Sequence, residues 1–86
     1  MKEHEIVEIL KKNLDLDQIF VKGDGTHFQI VAISNIFRNM SYVEKQKVIY
    51  SLLMEFIINK QIHAVSIKTL TPDEWKNHQN YSDIIL

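Results

Sequence analysis

Ile62-His63-Ala64-Val65-Ser66-Ile67-Lys68-Thr69-Leu70-Thr71-Pro72-Asp73-Glu74-Trp75 runs from a strand directly into a helix. Val65, Ile67 and Thr69 are β-branched, which suits a pleated, half-buried surface and predicts a strand over Ile62 to Leu70. Thr71-Pro72-Asp73-Glu74 is a helix start: Thr at the N-cap, Pro at the first helical position, Glu at the third. The short helix that follows carries Trp75, placed to fold back over the edge of the sheet.

Upstream, Ser41-Tyr42-Val43-Glu44 matches the capping box, in which the Ser hydroxyl and Glu carboxylate each satisfy an unpaired N–H at a helix start. A long helix is predicted from there to Asn59-Lys60. Its broad apolar stripe is Val48, Ile49, Leu52, Leu53, Phe56 and Ile57, suited to covering a sheet. Earlier still, Gln18-Ile19-Phe20-Val21-Lys22 and His27 to Ser34 are two further β-rich runs separated by Gly23-Asp24-Gly25. They read as a hairpin. Both glycines of the chain fall in that loop, implying a backbone shape that other residues would not adopt easily. Between Lys2 and Leu14, Ile6, Ile9, Leu10 and Leu14 recur at helical spacing, with Glu8 and Lys12 on the polar side.

The order is helix, strand, strand, helix, strand, short helix. This predicts an α+β fold with a three-stranded mixed sheet and helices on one face. The long helix makes a crossover between strands two and three, which should therefore be parallel. Their N-terminal ends then lie together. His27 opens one and His63 the other, so residues distant in sequence converge if no third strand intervenes.

The chain has 86 residues, enough for one domain, and contains no Cys. Disulfides, a thiol nucleophile and any zinc or iron–sulfur site made from its own thiolates are excluded. Ten basic residues against eleven acidic ones give a net charge of −1, so no basic excess favours nucleic acid. The charged N-terminus does not read as a secretory signal, and no apolar run approaches the ~20 residues that span a bilayer. A soluble, cytoplasmic protein is expected.

Three blocks resemble the BolA-like proteins, in particular their bacterial IbaG branch: Gly23-Asp24-Gly25-Thr26-His27-Phe28, Val43 to Glu55, and Ile62 to Trp75. The resemblance implies a fold similar to class II KH domains, with residues 1–76 as one BolA-like domain and 77–86 as a C-terminal tail. It also implies pairing with a monothiol glutaredoxin around a shared 2Fe-2S cluster. The family's signature His falls on His63, and its second ligand, in or just after the hairpin loop, falls on His27. The partner's Cys and bound glutathione would complete the site. The free protein is expected to be monomeric or weakly dimeric and to hold no cluster. Imidazole can replace thiolate on one iron of such a cluster, and a protonatable ligand makes the site sensitive to acid.

The chain departs from many relatives where they carry Phe-x-Gly and an Arg-His-Arg-like run. Here stand Phe37-Arg38-Asn39-Met40 and Glu44-Lys45-Gln46-Lys47. Lys45 and Lys47 retain charge without the planar forks that grip phosphate.

Each residue also has a plainer reading. His63 alone can be a structural histidine bonded to a carbonyl, while His4 and His78 read as solvated. Gly23-Asp24-Gly25 joins two strands and encloses an acid, unlike a phosphate clamp. Lys68 is either a solvated charge or a contact for glutathione, partner or nucleic acid. Tyr42, Tyr50 and Trp75 read as packing residues. No paired carboxylates or nucleophile elbow support an enzyme. A cluster adaptor and, as the alternative, a KH-like nucleic-acid-binding regulator remain.

Overall fold

A computed structural model describes residues 1–23 and 25–77 of the chain. The Ser41 hydroxyl accepts the Glu44 N–H at 3.1 Å, and Glu44 Oε1 accepts the Ser41 N–H at 2.8 Å. These bonds hold the Glu44 carboxyl below its ordinary range, with the backbone N–H of Ser41 the larger cause. The helix they start, α2, spans Tyr42–Ile58. Before it come α1 (Glu3–Asn13), β1 (Gln18–Gly23) and β2 (His27–Ile33). After it come β3 (Ala64–Leu70) and α3 (Pro72–Asn77). The predicted order is the observed one. The tail lies outside the described residues beyond Asn77, as does His78.

The sheet order is β1-β2-β3, with β1 antiparallel and β3 parallel to the central strand. No strand intervenes between β2 and β3. Their register pairs His27 with Ala64 and Ile33 with Leu70.

Alternation along β2 divides the apolar residues between two faces. Phe28, Ile30 and Ala32 pack with Ile6 and Leu10 of α1, Ile49 and Leu53 of α2, Phe37 and Ile62. Val31 and Ile33 face the other way and pack with Leu70, Phe20 and Trp75. The rings of Phe20 and Trp75 lie 5.3 Å apart, so α3 does fold its Trp back against the sheet. A second capping box starts α3: the Thr71 N–H donates to Glu74 Oε1 at 2.8 Å and the Glu74 N–H to Thr71 Oγ1 at 3.3 Å.

Three details differ from the sequence expectation. Ile62 and His63 precede β3 rather than belonging to it, because the Ile62 N–H bonds back to Phe56 O at the end of α2. A 3-10 turn, Asn35–Phe37, intervenes before α2; Ser34 Oγ accepts the Ile36 N–H and donates to Asp15 O. Tyr42 does not pack: it stands at the first position of α2 and is 73% exposed.

Candidate metal centre

Helix α2 ends in a turn that sets the direction of the chain toward β3. Lys60 takes a left-handed backbone (φ 68°), and the N–H groups of Gln61 and Ile62 both donate to Phe56 O, at 2.9 and 3.0 Å. The Ile62 side chain is buried in the core. His63 follows immediately, exposed, between that anchor and the first residue of β3.

On the facing strand, Thr26 is the residue that joins the two segments. Its carbonyl accepts the N–H groups of His63 at 2.8 Å and Ala64 at 3.2 Å. Its Oγ1 lies 3.2 Å from Nδ1 of His27, the exposed first residue of β2. This contact occupies Nδ1 and leaves Nε2 as the nitrogen facing away from it. The two imidazole rings stand 5.0 Å apart at 65°. The predicted convergence of His27 and His63 is therefore present in the fold.

The hairpin loop is tied down from the other side. The Gly23 N–H donates to Glu3 Oε2 of α1 at 2.8 Å. A Cβ at Gly23 would collide with the Phe28 ring and stand 2.8 Å from His27 O, so only glycine fits. Gly25 has φ 108°, where L side chains are strained. Beside His27, a depression of about 440 Å³ opens on the sheet, lined in part by Lys22, Gln29, Ala64 and Ser66.

Thr26 and Glu3 were not singled out from sequence. Thr26 acts mainly through its carbonyl, which every residue has. Glu3 reaches a backbone 20 positions away, and nothing in its local pattern marks that contact.

Among the described residues, no three or more His, Cys, Asp or Glu side chains gather into a metal-holding group. The pair therefore offers two neutral nitrogen donors, half of a tetrahedral shell. The lysines do not join it as one surface. Lys68 lies on the strand face opposite α2, whereas Lys45 and Lys47 lie on α2 itself.

The fold and this site fit one class of protein, and comparison identifies it. The sequence profile of the BolA-like protein family matches residues 3–74, so the chain belongs to that family. It is 48% identical over 75 residues to the acid stress protein IbaG of Escherichia coli K12, covering 87% of this chain and 89% of that protein. It is 33% identical to a BolA-like protein of Dictyostelium discoideum, covering 88% of this chain and 75% of that one. Among solved structures, BolA1 of Arabidopsis thaliana superposes with a TM-score of 0.74 at 29% identity, over 84% of this chain and 93% of that one. Mouse BolA1 has the same fold, with a TM-score of 0.80 at 23% identity over 98% of this chain and 75% of that one. Family membership supports a regulatory or adaptor role. No described helix is long and apolar enough to cross a membrane.

Proposed function

We propose that this BolA-like protein is a non-catalytic adaptor that completes a 2Fe-2S cluster with a monothiol glutaredoxin and glutathione, in cluster trafficking or iron sensing in the cytoplasm. The observation that carries this reading is the exposed pair His27 and His63, with rings 5.0 Å apart and no further ligand group gathered around them. Two imidazoles suit one iron of such a cluster. The chain has no Cys, so every sulfur ligand must come from elsewhere.

The protein's own contribution is positional. Thr26 fixes the spacing of the two histidine segments, the Ile62 anchor fixes one backbone, and the Glu3 to Gly23 bond fixes the other. Bound, the cluster would supply electron transfer or a transferable iron–sulfur unit. Histidine ligation makes such a site labile, since a ligating imidazole must give up its proton.

The nucleic-acid reading has less support, because Lys68 is separated by the sheet from Lys45 and Lys47 and the net charge is −1.

Reconstitution tests the proposal. The protein, a monothiol glutaredoxin, iron, sulfide and glutathione should give a heterocomplex whose visible absorbance and circular dichroism differ from those of the glutaredoxin homodimer. Spectra unchanged by adding the protein, or indifferent to His63→Ala, would overturn it.

A further inference from the structure

We infer that the His27 and His63 pair also forms half of a tetrahedral zinc site that a second copy of this chain completes, giving a zinc-bridged homodimer with four imidazole ligands. The inference goes beyond the cluster reading and does not depend on it.

The geometry suits one ion. With Zn–N near 2.0–2.1 Å, an imidazole centre stands about 3.2 Å from the metal, and a tetrahedral angle separates two such centres by about 5 Å. The observed separation is 5.0 Å. The rings are held at that spacing by backbone, through the Thr26 carbonyl and the two N–H groups it accepts. Thr26 Oγ1 engages Nδ1 of His27, which leaves Nε2 to coordinate.

Two donors do not make a closed zinc site. Structural zinc takes four ligands, and no third His, Cys, Asp or Glu gathers here among the described residues. Both histidines are exposed at the end of the sheet, so a second pair can approach. A two-fold axis through the ion uses the same two residues from each copy. Metal binding itself supplies the association energy, so no extensive protein interface is required.

The dimer consumes the ligands that a glutaredoxin complex would use, so the two assemblies exclude each other. Zinc would hold the free protein out of cluster assembly.

The test is the mass of the full chain in solution, by sedimentation or light scattering, as ZnCl2 is added. The inference expects a doubling of mass complete at one zinc per two chains, reversal by EDTA, and no dimer for either His27→Ala or His63→Ala. His4→Ala should dimerise normally. Circular dichroism of the two variants should match the parent, since both side chains are exposed. A chain that stays monomeric at saturating zinc, binds it one to one, or dimerises equally in the two variants overturns the inference. Glutaredoxin reconstitution contains no zinc, so its success or failure is read separately.

Discussion

The two ends of the parallel pair β2 and β3 are built on opposite terms. At the C-terminal end, Ile33 and Leu70 stand side by side, and Phe20 and Trp75 close over them. At the N-terminal end, Thr26 joins the strands through its carbonyl, and two imidazoles stand in solvent. One end spends its residues on burial, the other on presenting donors. The crossover helix connects them: α2 starts beside the closed end at its Ser41 cap and delivers His63 at the open one. A fold with few residues to bury can leave one end of its sheet for chemistry because the other end and the helix-covered face carry the stability.

Substitutions can break this contrast. The largest loss of stability is expected at the closed end, where Leu70→Ala should cost about 2–5 kcal/mol by removing buried apolar contact and leaving a cavity. Denaturant unfolding measures it. Histidine-dependent spectra of the protein that remains folded should be unchanged.

Gly23→Ala should cost about 1–3 kcal/mol, because its methyl must displace the Phe28 ring. Unlike Leu70→Ala, it should also shift the His27 imidazole resonances, because the strained backbone lies next to that residue. Unfolding and NMR on one sample would show whether the two effects travel together.

Ser41→Ala removes the cap of α2 and should cost about 1 kcal/mol. The pH dependence has a fixed sign. Glu44 has a folded-state pKa lowered from 4.5, so its contribution is fully present above that value and is lost as pH falls through the folded-state pKa. The stability difference between parent and Glu44→Gln should therefore shrink in acid.

Smallest in stability is His63→Ala, within about 0.5 kcal/mol, since the side chain is exposed and outside the core. Its functional effect should be the reverse: loss of the mixed-complex cluster signature. A large destabilisation would mean that the open end is structural after all.

The fold was legible where local chemistry and periodicity agreed. Ser41 with Glu44 and Thr71 with Glu74 announce their helices, and the alternation of Phe28, Ile30 and Ala32 against Val31 and Ile33 marks a strand with two buried faces. The crossover rule then brings His27 beside His63 without any homologue. Less legible were features made by backbone groups. The turn after α2 uses Lys60 in a left-handed conformation where glycine is usual, so its sequence gives no stop signal at the true boundary. The 3-10 turn depends on Ser34 bonding across to Asp15, a contact that no local pattern reports. The ligand role of the pair came from family resemblance, because two histidines at a strand end serve equally well as a structural contact.

The central claim is that both imidazoles bind one iron of a shared cluster. The direct measurement is pulsed EPR of the reduced glutaredoxin complex, assembled with this protein labelled with 15N only at histidine. The account predicts strong couplings from two 15N nuclei, one of them lost in His27→Ala and the other in His63→Ala. A cluster that forms with no histidine coupling from this chain would contradict it.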